Sequence, residues 1–335
     1  MKHPLSISGT VLILIAMVMG ACSVKPEENR GMDSPTSVVK LYPEGQNTDL
    51  GIVEDGIQVT LGPGESSRLD STEFYWDADG SLNFVSDSAR LEIYLPEKRN
   101  GQMIVICPGG GYGELTYRNE GVWAAKLLTQ KGYSVCVVVY RLPNGHHTVP
   151  LRDVQNAFRY CRHHAGEWGI NQIGVMGLSA GGHLAACAST LYDSDITRPD
   201  FSILIYAVIS SQAASRHGAT FSRLTGGDEE LIDFYSLERH VTPDTPPAIL
   251  FHSADDKSVK SDNSIRYYQE LRKNGVRAEL YIFPKGGHGW SFVTMETAGR
   301  DKLGGYRNVF FEALYTFLES IRPGSDETEM KQNAN

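Results

Sequence analysis

Basic residues are in short supply: 31 Lys and Arg stand against 40 Asp and Glu, a net charge of -9 over 335 residues. That balance repels phosphate backbones and anionic membrane surfaces, and no basic cluster is interleaved with aromatics, so nucleic acid is excluded as a partner. Cysteine is scarce too, five in all, with no Cys-x-x-Cys pair and no metal-ligand spacing, which speaks against a metal centre. Cys107, Cys136, Cys161 and Cys187 fall in apolar strand-like or helix-like runs and read as buried free thiols. The sequence has no internal repeat. The apolar run Val11 to Met19 is too short to span a bilayer comfortably.

That short run follows Lys2 and precedes Gly20-Ala21-Cys22 and a polar stretch, the layout of a secretory signal. Small residues directly before a cysteine resemble the bacterial lipobox, with Met19 where leucine is usual. The expectation is a leader over 1–21 and a lipidated Cys22, with plain cleavage or an uncleaved anchor as alternatives. The protein is then exported, to the periplasm or to the outer membrane or cell surface, and meets a membrane only through the lipid. Residues 22–84, rich in Gly, Pro, Asp, Glu and Ser, read as a tether and a loosely ordered segment. The folded domain is expected over 85–323, with a tail over 324–335.

Within the domain, apolar runs and amphipathic segments alternate. Leu91, Ile93 and Leu95 alternate, then Met103 to Cys107 is continuous and reads as a strand buried on both faces. A helix with Val122, Ala125 and Leu128 is predicted over 121–131, a strand over 134–140, and a helix marked by Leu151, Val154, Phe158, Cys161 and Trp168. Further strands are predicted at 173–176, 201–209, 248–252 and 278–283, with helices around 265–273 and 309–321. Between them, 210–247 is a polar insert holding a helix over 228–240 and placed to cap a pocket. The class is α/β, with a mostly parallel central sheet flanked by helices and a small cap insert.

The chain is organised around Gly177-Leu178-Ser179-Ala180-Gly181-Gly182, which leaves the strand at 173–176 and opens a small-residue helix. A serine with glycine two residues before and after it suits a turn too tight for neighbouring side chains, with the hydroxyl exposed at the strand end. Such a serine needs an imidazole as general base and a carboxylate to hold the imidazolium. His288, flanked by glycines in Gly286-Gly287-His288-Gly289-Trp290 after the strand at 278–283, is the candidate base. Asp255 and Asp256, after the strand at 248–252, are the candidate acids. Attack on a carbonyl also makes an oxyanion, and the glycine run after Pro108 is suited to aim backbone N–H groups at it.

The segments CPGGGYG, VVYRLPNG, GLSAGGH, RPDFSILIY, HSADDKSV and GGHGW, spread from Leu91 to Ile321, resemble the secreted esterase and lipase branch of the α/β-hydrolases. They are most similar to acetyl xylan esterases and feruloyl esterases of gut Bacteroidota. The resemblance implies the α/β-hydrolase fold and selects Asp256, because HSADDKSV looks like the family's H-G-x-x-D-x-x-V stretch. The chain order Ser179, Asp256, His288 is the one this fold uses. Pro108-Gly109-Gly110-Gly111 is similar to the HGGG loop of lipases and esterases, with Pro108 replacing histidine, which implies an oxyanion hole of Gly110, Gly111 and Ala180. The implied reaction removes acetyl or feruloyl groups from plant polysaccharide or oligosaccharide esters through an acyl-serine, without metal or organic cofactor. A serine peptidase or lipase on the same fold and a non-catalytic glycan-binding lipoprotein are the rival readings. Tyr112 and Trp290 adjoin the loop and the base, and either packs on a substrate ring or fills the core. His183 is expected to pack within its helix, His163 and His164 to face solvent, and His146 and His147 to lie in a loop within reach of a pocket.

Overall fold

The computed structural model describes residues 34–41, 81, 82, 85, 89–290, 292 and 301–323. Cys22, the expected leader and the expected tail lie outside the described residues, as does most of 22–84.

Among the described residues, one sheet is built from β1 (Ser37–Lys40), β2 (Arg90–Tyr94), β3 (Gln102–Cys107), β4 (Ser134–Val139), β5 (Gln172–Leu178), β6 (Ser202–Ile205), β7 (Ala248–Ser253) and β8 (Ala278–Phe283). The strands lie in the order β1-β2-β4-β3-β5-β6-β7-β8. β1 and β2 are antiparallel to their neighbours, and every pair from β4 to β8 is parallel. The cause is legible in the runs themselves: β3, β4, β5, β6 and β7 are buried at every position, as strands covered on both faces must be.

The parallel strands are joined through helices: α1 (Trp123–Thr129), α2 (Val149–Trp168), α3 (Ala180–Thr190), α4 (Gly218–Thr225), α5 (Glu229–Phe234), α6 (Asp262–Lys273) and, after β8, α7 (Arg307–Ser320). α2 buries Val154, Ala157, Phe158, Cys161 and Trp168 at helical spacing and stops at Gly169, which takes φ 66°, a left-handed cap. The four cysteines are free and buried, as their apolar settings predict. No helix among the described residues is long and apolar enough to cross a membrane.

Four local features depart from the expectations. Ser37–Lys40 pairs with β2 as an edge strand, so the sheet begins well before residue 85. A wide π-type turn over Tyr117–Val122 precedes α1 and shortens the helix expected from 121. The strand expected to run to Ile209 ends at Ile205 because Tyr206 turns the chain at φ 37°. Residues 206–209 stay buried, but Val208 N–H goes to Ser179 O and Ile209 N–H to the Asn263 side chain. Finally, the insert holds α4, α5 and a 3-10 turn over Leu237–His240 rather than one helix over 228–240. Asp228 caps α5 through the N–H groups of Glu230 and Leu231, while Ser236 leaves the helix to accept from Ser211 N–H and donate to Glu238.

Gly174 of β5 faces the Phe201 ring so closely that a Cβ would fall 2.2 Å from its Cε2. Gly174→Ala is therefore expected to lower stability by about 1–3 kcal/mol, the cost of overpacking a filled core. Urea unfolding checks it, and an unchanged midpoint would show that the ring has room to give.

Candidate active site

The sheet register decides what meets at its carboxyl edge. Cys107 pairs with Gly177, so the loop after β3 and the turn after β5 leave the sheet side by side. Leu178 pairs with Ile205, Ile205 with Phe251, and Ser253 with Phe283. The chain beyond β5, β6, β7 and β8 thus emerges in one row. The strand order reverses direction around β3, and in open α/β sheets such a switch point leaves a crevice outside the strand ends.

Ser179 stands at the end of β5 with φ 55° and ψ -120°, a conformation that costs a non-glycine residue on the order of 1–3 kcal/mol. It is held there by its own N–H on Ile205 O at 3.0 Å and by Val208 N–H on its carbonyl at 3.0 Å. The flanking glycines are needed for close approach. A Cβ on Gly177 would fall 2.1 Å from Gly181 O, and one on Gly181 would fall 2.0 Å from Cys107 O.

The structure brings Ser179, His288 and Asp256 into one line. His288 Nε2 lies 2.9 Å from Ser179 Oγ, and His288 Nδ1 lies 2.7 Å from Asp256 Oδ2. With the carboxylate ionised, Nδ1–H donates to it and Nε2 is left to accept from the serine hydroxyl. Burial pushes the Asp256 carboxyl up, but hydrogen bonds from His252 and His288, the His288 charge and the Val259 N–H outweigh it and hold the carboxyl well below the usual range. Its other oxygen accepts from Ser258 and Val259 N–H at 2.9 Å each. Asp255, the alternative acid, instead accepts from Gly287 N–H at 2.8 Å and so braces the loop that carries His288. An imidazole between a hydroxyl and a carboxylate can take the hydroxyl proton as the oxygen attacks.

The loop after β3 is anchored peptide by peptide. Pro108 C=O accepts from Tyr140 OH at 2.7 Å, and the N–H of the same peptide, on Gly109, donates to Glu120 Oε2 at 2.6 Å. Gly109 C=O accepts from Thr116 N–H at 2.9 Å, and Gly110 C=O from Gly113 and Glu114 N–H at 3.1 and 3.2 Å. In a trans peptide the N–H points opposite to the C=O, so these anchors also aim the N–H groups of Gly110 and Gly111. Among the described residues, the N–H groups of Gly110, Gly111 and Ala180 have no acceptor, whereas that of Gly109 is taken. Gly110 must be glycine, since at φ 122° a Cβ would fall 2.1 Å from Glu114 O.

Tyr112 and Trp290 are corrected as substrate contacts. Each is 1% exposed. The Tyr112 hydroxyl meets His183 Nδ1 at 3.1 Å, and the Trp290 ring packs edge-on against Tyr206, Phe283 and Phe310. His183 fills the core beside Tyr112, and burial pushes its imidazole down to about 4. His147 meets Tyr235 OH at 2.8 Å, and His163 lies at the surface of α2.

Three groups with no motif to announce them complete the surroundings. Glu120, buried on the π-type turn, accepts from Gly109 N–H and, at 3.0 Å, from Tyr206 OH. The Tyr206 ring lies 4.8 Å from the His288 ring. Arg223 of α4, in the insert between β6 and β7, donates to Gly111 O at 3.2 Å. Among the described residues, no group of three His, Cys, Asp or Glu is placed to hold a metal ion.

The surrounding chain has known relatives. A family model described as BD-FAE matches residues 91–203. The acetylxylan esterase of Xylanibacter ruminicola is 40% identical over 223 residues, 64% of this chain and 46% of that protein. The acetyl ester-xyloside bifunctional hydrolase of Caldicellulosiruptor lactoaceticus superposes with a TM-score of 0.58 at 32% identity, covering 68% of this chain and 88% of that one. A sugar hydrolase from Lactococcus lactis does so with a TM-score of 0.57 at 30% identity, covering 75% and 97%. The chain spans about half the length of the curated relatives it matches.

Because its folded-state pKa is depressed, the ionised Asp256 stabilises the protein fully above its unfolded value of about 3.9, and that stabilisation is lost as pH falls through the folded value. The urea midpoint of wild type is expected to exceed that of Asp256→Asn above about pH 4. The gap should narrow steadily below about pH 4. A gap that stays constant down to pH 2.5 would contradict the depressed carboxyl.

Proposed function

Since the chain belongs to the esterase branch of the α/β-hydrolases, we propose that it is a serine carboxylic-ester hydrolase that removes acetyl groups from xylan or its oligosaccharides. The observation that carries this reading is the unbroken hydrogen-bond line from Asp256 through His288 to Ser179. The 40% identity to an acetylxylan esterase supports the acyl group and the polysaccharide.

In this reading His288 takes the Ser179 proton as Oγ attacks the acetyl carbonyl, and Asp256 orients and stabilises the imidazolium. The N–H groups of Gly110, Gly111 and Ala180 receive the oxyanion, each worth roughly 3–4 kcal/mol to the transition state. Collapse expels the sugar oxygen, which takes the proton back from His288. A water then gives its proton to His288 as its oxygen bonds to the acyl carbon, and collapse releases acetate as Ser179 Oγ leaves and takes the proton back from His288. The lipobox-like sequence before Cys22 supports an exported, lipid-anchored form, which suits an extracellular polysaccharide substrate.

Ser179→Ala is expected to lower turnover of p-nitrophenyl acetate by about a millionfold and to abolish acetate release from acetylated xylan. It should also end covalent labelling by a fluorophosphonate, which only an activated serine takes up readily. Wild-type turnover by the pure variant would remove the serine assignment. Ferulate released in place of acetate by the wild type would change the acyl group. Failure of the wild type to label at all would favour a glycan-binding protein that only borrows the fold.

A further inference from the structure

A second carboxyl lies beside the site, and the proton line from Asp256 does not pass through it. Glu120 is 4% exposed, and each of its oxygens reaches a different element. Oε2 takes the Gly109 N–H at 2.6 Å, and Oε1 takes the Tyr206 hydroxyl at 3.0 Å. Gly109 opens the loop that presents the Gly110 and Gly111 N–H groups, and its packing against the serine is close: a Cβ there would fall 2.9 Å from Ser179 Cβ. Tyr206 lies 4.8 Å, ring to ring, from His288. One buried side chain therefore bridges the oxyanion loop and the ring that backs the base.

Both partners of Glu120 are donors, and both of its oxygens accept. An ionised carboxylate satisfies two donors at once, whereas an amide offers one oxygen and turns an NH2 toward the other. Keeping a charge in the interior costs stability, and a neutral side chain of the same shape would be easier to bury. Burial pushes the carboxyl above its ordinary value, and the Gly109 N–H, the His288 charge and the Tyr206 hydroxyl offset only part of that rise. π-type insertions of the kind that carries Glu120 are frequent at functional sites.

We propose that Glu120 is a positioning residue, whose carboxylate sets the first peptide of the oxyanion loop and the Tyr206 ring behind His288 as a single unit. The assignment rests on the esterase reading and adds a residue to it. The carboxylate touches no reacting atom and acts through Gly109 and Tyr206. Its removal is felt in the transition state, where the Gly110 and Gly111 N–H groups and the His288 ring must be aligned together, and little in substrate binding.

The test compares Glu120→Gln, Tyr206→Phe and the double variant with wild type on p-nitrophenyl acetate, with Ser179→Ala in parallel. Glu120→Gln is expected to lower kcat by about 10–100-fold with KM within twofold of wild type. Its urea midpoint at pH 7 should equal or exceed that of wild type. Tyr206→Phe should lower kcat by a smaller factor, and the double variant should be no slower than Glu120→Gln alone, since both act through one link. A kcat within twofold of wild type for Glu120→Gln, a loss that follows a lowered urea midpoint, or fully multiplicative losses in the double variant would each overturn the proposal. Should Glu120→Gln fail to fold, Tyr206→Phe decides alone: an unchanged kcat overturns the proposal and a several-fold loss at constant KM sustains it. If Ser179→Ala also keeps its activity, the esterase reading itself has failed; if only Glu120→Gln stays active, the failure belongs to the positioning role.

Discussion

Between Ser179 Oγ and His288 Nε2 lie 2.9 Å of space and 109 positions of chain. A proton passes between side chains only across such a distance, so everything that fixes it is a condition of the chemistry. The chief condition is the parallel register from β3 to β8, which ends the strands in one row. A slip of one residue in any pair would turn every side chain of that strand to its other face. The continuous burial of β3 to β7 is what resists such a slip. The apolar core and the polar site are therefore two results of one pattern.

The site then distributes strain and restraint. Ser179 is held in an unfavourable backbone conformation by Ile205 at the end of β6 and by Val208 in the segment that follows it, and the glycines beside it exist to let the helix and the β3 loop come close. The loop peptides are each tied at the carbonyl, which leaves the N–H groups of Gly110 and Gly111 directed and unspent, while that of Gly109 is held by Glu120. Preorganised donors of this kind need no rearrangement when charge develops.

Much of this was legible in the chain. The strands announce themselves because a strand buried on both faces has few residue types to choose from, and Ser179 and His288 because turn chemistry leaves glycine signatures at strand ends; turn chemistry alone leaves Asp255 and Asp256 open, and the resemblance to the α/β-hydrolases selects Asp256. Glu120 and Tyr206 carry no such mark. Glu120 sits on a π-type turn that imitates an ordinary helix start, and Tyr206 hides in an apolar run whose strand ends at an unforeseen positive φ. α4 begins on glycine and is held by burial of Phe221 and Leu224, a tertiary cause invisible to propensity. Tyr112 and Trp290 were placed beside the site by sequence adjacency, but adjacency along a turn does not say which way a ring points, and the core claimed both.

The position of β8 has one further consequence. Among the described residues it is the outermost strand on its side of the sheet, with β7 as its neighbour there, and the loop that follows it carries His288, whereas Ser179 and the glycine loop spring from central strands. Local opening begins where neighbours are fewest. Warming or mild denaturant should therefore detach the imidazole first, leaving a folded protein whose serine and loop N–H groups are still assembled, and the imidazole returns when the margin closes again.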